Sequence, residues 1–132
     1  MYSVTPYREE QFDLIKSWWD AAGEFAALPG MMPEDSTLIV NYEGRPLASL
    51  TIYFTNSKEI AYLENLVGNP EFKGEIRKKG VEILTRSAEQ LAKSRGYKRL
   101  LCLTEKTKLK GRYEELGYLP TLNNVTTFVR EL

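Results

Sequence analysis

Between Val67 and Gly96 the chain reads VGNPEFKGEIRKKGVEILTRSAEQLAKSRG. An Asn69-Pro70 turn follows an apolar run and opens a long amphipathic segment whose first turns carry Arg77, Lys78, Lys79 and Gly80. A strand feeding a basic, glycine-containing helix start is suited to phosphate, because free N–H groups and the positive end of the helix dipole point outward there. Three cations at a helix N-terminus oppose that dipole, so an anion would relieve them. They can also simply solvate the start of a helix. The ligand this suggests is a small phosphorylated cofactor. Histidine is absent, which removes the usual general base, the Ser-His-Asp arrangement and most zinc sites. No metal is expected, and any catalysis must rest on carboxylates, Tyr, Lys, Ser/Thr or backbone groups. Glu64, in AYLENLV, lies in the strand before the phosphate turn. A carboxylate there can serve as a base, directly or through water, pair with a nearby Lys or Arg, or face solvent.

The elements that must position these residues follow from periodicity. Tyr2 to Thr5 reads as a short strand closed by Pro6, and Glu9 to Ala22 carries Phe12, Ile15, Trp18, Trp19 and Ala22 at helical spacing. Gly23 to Asp35 reads as a loop or a broken short helix. Thr37–Tyr42 and Leu47–Thr55 form a hairpin around Glu43-Gly44-Arg45-Pro46, and Ile60–Val67 is a further strand. The helix after Asn69-Pro70 places Ile76, Gly80, Ile83, Leu84, Ser87, Ala88, Leu91 and Ala92 on one face, and stops at Gly96. Arg99–Thr104 reads as a buried strand, Lys108–Leu116 as a short helix, and Tyr118–Leu122 and Val125–Val129 as two last strands. The order predicts an α/β (α+β) fold: a mixed, mostly antiparallel sheet with a parallel, right-handed β-α-β centre, flanked by helices.

At 132 residues the chain is read as one domain spanning 1–132. Eighteen Lys+Arg balance eighteen Asp+Glu, so no global field favours nucleic acid or an anionic membrane. No signal pattern and no membrane-length apolar run is present, which makes a cytoplasmic, reduced setting the default expectation. The single cysteine, Cys102, sits in LLCL and reads as a small buried apolar residue, with a reactive thiol as the alternative.

Two local patterns make the chain resemble the GNAT superfamily of N-acyltransferases over nearly its whole length. Arg77-Lys78-Lys79-Gly80, running on through Ile83-Leu84 to Gly96-Tyr97, is similar to the family's pyrophosphate motif, Gln/Arg-x-x-Gly-x-Gly/Ala. Tyr113-Glu114-Glu115-Leu116-Gly117-Tyr118 is similar to its Tyr-x-x-x-Gly-Phe ending. The compact form resembles phage and prophage members. Glu82 departs from the first motif's last small residue, and counting from Pro70 instead would move the phosphate loop to Lys73-Gly74. Lys106 or Thr107 stands where many members carry Asn.

The resemblance implies an acetyl-CoA (or short acyl-CoA) N-acyltransferase acting on a primary amine without a covalent enzyme intermediate. It implies cofactor contacts at Gly74, Arg77, Lys78, Lys79 and Gly80, with the backbone of Leu66 and Val67 bonding the pantetheine arm at a strand splay. Tyr113 would protonate the departing CoA thiolate, since a phenol's pKa of about 10 lies close to that of an alkyl thiol. Glu64 would be the base. Trp18, Trp19, Phe25, Met31 and Met32 gather around the loop that lines the acceptor site in the family, and their apolar character argues against a polybasic or polyphosphate acceptor. The acceptor amine stays unidentified, monomer and homodimer are both open, and a catalytically silent CoA-binding or protein-binding module is the alternative reading.

Overall fold

The computed structural model describes residues 1–103, 107–122 and 126–132. Among them the chain forms a five-stranded sheet in the order β1-β2-β3-β4-β5. The strands are β1 (Tyr2–Pro6), β2 (Thr37–Tyr42), β3 (Arg45–Phe54), β4 (Ala61–Gly68) and β5 (Leu100–Cys102). The helices are α1 (Phe12–Ala22), α2 (Gly74–Ser94) and α3 (Thr107–Glu115). Strands β1 to β4 pair antiparallel in sequence, whereas β5 joins β4 in parallel through the α2 crossover. The sheet is thus mixed and mostly antiparallel, as the alternation of turns and apolar runs predicts. Glu43 and Gly44 both take positive φ, the geometry of a two-residue hairpin turn that matches strand twist.

Each face of the sheet carries its own core. Val40, Leu47, Ala48, Leu50, Ile52, Ala61 and Leu63 meet Val81, Leu84 and Ala88 of α2. On the other face Ile15, Trp18 and Trp19 of α1 join Tyr7, Met32, Ile39 and Val67. The buried stripe of α2 is Gly80, Val81, Leu84, Thr85, Ala88 and Ala92. It is rotated from the expected stripe, bringing in Val81 and Thr85 and leaving Ile76 exposed. Thr85 is accommodated because its hydroxyl donates to the Val81 carbonyl one turn back (2.9 Å). Among the described residues no helix is long and apolar enough to cross a membrane.

The end of the chain departs from expectation. Tyr118–Leu122 and 126–129 form no strand, and Val125, like Thr104 in the expected β5 and the Lys106 position, lies outside the described residues. Alternating apolar residues make a strand only where an edge offers backbone partners. Here β5 is three residues long and Pro120 lacks an N–H to donate. Leu119 and Phe128 consequently stand in solvent.

Candidate active site

The site begins with a defect in strand pairing. Thr51 opposes Glu64 and Ser49 opposes Val67, so Leu50 faces two residues, Asn65 and Leu66. This two-against-one count is a β-bulge, and it bends the strand that carries it. Asn65 adopts φ 59° to make it. Its side chain is held by Tyr53, whose hydroxyl receives the Asn65 amide at 2.9 Å. The same hydroxyl donates to the Met31 carbonyl at 2.6 Å, so the bulge and the loop after α1 are tied together. Pairing between β4 and β5 runs only from Ala61↔Leu100 to Leu63↔Cys102. Beyond Leu63, the β5-facing edge of β4 carries no strand partner among the described residues. The backbone of Leu66 and Val67 therefore borders an opening between two parallel strands.

Chemistry-bearing side chains flank that opening from both faces. Glu64 lies opposite Thr51, which lies opposite Thr37, and the two threonine hydroxyls bond at 2.9 Å. Directly opposed residues share a face, and Ile39, two residues along from Thr37, belongs to the α1 core. Glu64 thus projects on the α1 side, half-buried. Burial raises its carboxyl pKa above the ordinary value, which makes it a better proton acceptor. Cys102 sits on the α2 side, packed against the core that contains Leu63. Tyr113 of α3 lies beside it, close enough for each group to shift the other's titration. Tyr113 is only 7% exposed. Burial first, then the neighbouring Cys102 and Glu64, raises its phenol pKa. Cys102, expected as a small buried apolar residue, packs at the edge of that core and is half-buried.

Helix α3 is fixed to α2 by a polar relay. The Tyr118 hydroxyl donates to Glu89 at 2.8 Å, Glu89 accepts from Arg86 at 2.9 Å, and Arg86 donates to the Leu116 carbonyl at 3.0 Å. The rings of Tyr113 and Tyr118 lie 5.3 Å apart. Tyr118 therefore orients the segment that delivers Tyr113.

The cation-rich stretch sits one turn inside its helix. Lys73 is the N-cap, with no side-chain capping bond, and α2 begins at Gly74, whose φ is 63°. The four free N–H groups of a helix start here belong to Lys73, Gly74, Glu75 and Ile76. Lys78 pairs with Glu115 at 3.7 Å and Lys79 with Glu82 at 3.8 Å. Arg77 differs: its guanidinium lies over Gly68, where an added Cβ would come within 2.5 Å of Nη2. Burial and the charge of Arg112 lower the Arg77 pKa, and Arg77 has no carboxylate partner among the described residues. Arg112 comes from α3, and nothing in its local sequence links it to Arg77. Gly80 faces the sheet, under Leu47.

Of the aromatic and methionine group, Trp18, Trp19 and Met32 are buried under α1, whereas Phe25 and Met31 are exposed. A cavity of about 1040 Å³ runs along the outer edge of β5 and α3, lined by residues including Leu100, Cys102, Tyr113 and Leu116. Its lining includes none of Glu64, Leu66 and Val67, so its size reflects the β5 edge rather than the opening in the sheet.

This combination of a mixed sheet, a bulged strand splayed from its parallel neighbour and a helix start at the mouth defines a fold shared with solved acetyltransferases. A predicted acetyltransferase from Clostridium acetobutylicum, solved with acetyl-CoA, superposes with a TM-score of 0.69 at 12% identity, over 97% of this chain and 96% of that one. An acetyltransferase from Trypanosoma brucei gives 0.69 at 15% identity, covering 98% and 100%. The N-acetylglutamate synthase of Neisseria gonorrhoeae, complexed with coenzyme A and L-arginine, gives 0.75 at 13% identity over 96% of this chain and 29% of that one. No protein-family model and no curated protein sequence matches the chain. The fold is the GNAT fold, the one that the sequence resemblance implies.

Proposed function

We propose that this chain is an acyl-CoA-dependent N-acyltransferase that passes an acetyl or other short acyl group directly to a primary amine. The observation that carries the reading is the opening between β4 and β5 beyond Leu63, with Glu64 on one face and Tyr113 on the other. The residues fit the group. Unpaired β4 backbone at Leu66 and Val67 matches an amide-bearing arm, and the uncapped N–H groups at Lys73 to Ile76 match phosphate. Arg77, without a carboxylate partner, supplies the charge, supported by the more exposed Lys78 and Lys79. Gly80 contributes by letting α2 lie close to β3. Acyl-CoA, when bound, supplies a thioester whose C–S bond breaks as the amine nitrogen bonds its carbonyl carbon.

Glu64 takes the proton that the amine must lose, at a carboxylate oxygen, directly or through water. Its raised pKa keeps it basic enough for that task. Tyr113 gives its hydroxyl proton to the leaving sulfur and recovers one from solvent. A burial-raised phenol stays protonated, so a donor is in place before each turnover. The α1 face, with Tyr53, Asn65 and the Met31 loop beside Glu64, is where the amine would enter.

Two measurements test the reading. Acetyl-CoA at a hundredfold its Kd should stabilise the fold by roughly 2.7 kcal/mol, read as a rise in melting temperature. No shift with acetyl-CoA, CoA or longer acyl-CoAs sinks the proposal. Binding without transfer to any of a panel of primary amines supports the silent binding module instead.

A further inference from the structure

Resting on the acyltransferase reading, we propose that the acceptor is a primary amine with an aromatic or branched apolar group a short carbon link from its nitrogen: Glu64 holds the ammonium, and Tyr62, Leu101 and Met31 cover the apolar group.

The register builds the site. Tyr53 opposes Tyr62, and Tyr62 opposes Leu101. Directly opposed residues share a face, as do residues two apart on one strand. Tyr62 therefore stands on the α1 side with Glu64, flanked by Tyr53 and Leu101. The α1 core takes in Val67, at the far end of β4 from Tyr62, and Tyr62 is left 37% exposed. Met31 is bound at the same end. Its carbonyl accepts from the Tyr53 hydroxyl at 2.6 Å and from the Asn65 amide at 3.3 Å, which fixes the loop while the Met31 side chain stays exposed.

The charge in this site is unmatched. Glu64 is half-buried, yet among the described residues neither a cation nor a hydrogen-bond donor reaches it. Carboxylates in full solvent do better: Asp20 holds Lys16 at 2.9 Å, Glu59 holds Arg99 at 2.7 Å and Glu71 holds Arg45 at 2.9 Å. A desolvated carboxylate is costly until something brings it positive charge. A lone carboxylate supplies too few oxygens for a hard metal ion but is a sufficient anchor for one ammonium. Asn65 spends its amide hydrogens on Tyr53 and Met31, and its Oδ1 has no donor among the described residues, which offers the ammonium a second acceptor. Tyr53, Tyr62, Leu101 and Met31 carry no charge. A second ammonium on the acceptor would meet them without an anion, whereas an apolar group there is removed from water together with their surfaces.

The anchored ammonium loses one proton to Glu64, and its nitrogen bonds the acetyl carbonyl carbon as the C–S bond breaks. A second nitrogen proton balances the one that the departing sulfur takes from Tyr113.

The probes are 2-phenylethylamine and the peptide Phe-Gly-Gly, matched by ethylamine and Gly-Gly-Gly, which lack the ring, and spermidine as a polycation. CoA release from acetyl-CoA is followed by chromatography. At least one ring-bearing probe should exceed its match in kcat/KM by about 10- to 100-fold, the scale of burying an aromatic side chain, and spermidine should fall below it. The probe that does so names the source, a free amine or a peptide N-terminus. Amine binding is read separately, by calorimetry on the complex with CoA. Glu64→Gln should remove binding of the ring-bearing probe. Tyr62→Ala should weaken that binding about tenfold, and Tyr42→Phe, on the α2 side, should not. Tyr62→Lys sets a cation within reach of Glu64 and should abolish binding, which keeps the test open if Tyr62→Ala does not fold.

Equal kcat/KM for both ring-bearing probes and their matches, or a preference for spermidine, overturns the proposal and leaves the acyltransferase reading intact. So does binding that Tyr62→Lys does not weaken. Binding that depends on Glu64 and Tyr62, with no acetyl transfer to any amine, sinks the acyltransferase reading alone and leaves the amine site standing.

Discussion

Replacing Gly80 with Ala separates a packing glycine from a phosphate-contacting one. A Cβ at this position would meet Leu47 Cδ2 at 2.7 Å and Cδ1 at 2.8 Å, well inside ordinary contact. Leu47 is fully buried in a core shared with Val81 and Leu84, so it has little room to turn away. Overpacking of this kind costs about 1–3 kcal/mol. Ala gains roughly 0.8–1.0 kcal/mol over Gly in a helix interior, which leaves a net destabilisation of about 0–2 kcal/mol. For a chain of this size that is a fall in melting temperature of up to roughly 8 °C, measurable by thermal denaturation. Shortening the opposing side chain should relieve it, so Gly80→Ala combined with Leu47→Val should cost less than the sum of the two by ~1 kcal/mol. CoA affinity, measured by calorimetry on the folded variant, should stay near that of the wild type. A rise in melting temperature would refute the contact with Leu47. Lost CoA affinity in a fully stable variant would place Gly80 at the phosphates instead.

Glu64→Gln should stabilise the free protein at neutral pH. The folded carboxyl holds its proton more tightly than the unfolded one, so stability falls as pH rises from the ordinary value of 4.5 through the raised folded value. The melting-temperature gain of the variant should accordingly vanish as pH drops towards 4.5, while turnover is lost most at low pH, where the acceptor amine is most protonated; a variant less stable than wild type at neutral pH contradicts the burial argument. Tyr113→Phe should leave CoA affinity unchanged and lower turnover ~10²-fold or more, and full turnover on an identified amine would mean that another donor protonates the sulfur. Arg77→Ala should weaken CoA binding by about 1.5–3 kcal/mol, and Lys79→Ala by clearly less because Lys79 is exposed and paired with Glu82. Equal losses on calorimetry would remove the distinction drawn between them.

Periodicity and turn residues in the sequence are local properties, and they sufficed for the alternating strands, the β2–β3 hairpin and the three helices. Glu64 and the basic start of α2 stand out in the sequence by residue type and placement, whereas Tyr113 is marked only by the resemblance of its Tyr-x-x-x-Gly-Tyr ending. The rotation of α2 was decided by tertiary packing: Thr85 is buried through a bond to its own helix, and Ile76 is left out, neither of which an apolar count can register. Strand alternation after Gly117 depended on an edge that the three-residue β5 scarcely offers. The helix start at Gly74 separated Arg77 from Lys78 and Lys79 by what each can reach. The bulge at Asn65, the proximity of Arg112 to Arg77 and that of Tyr113 to Cys102 join residues from different elements. Local sequence determines which groups a strand or helix can present, whereas the meeting of two groups from distant elements depends on register and crossover, which exist only once the sheet has formed.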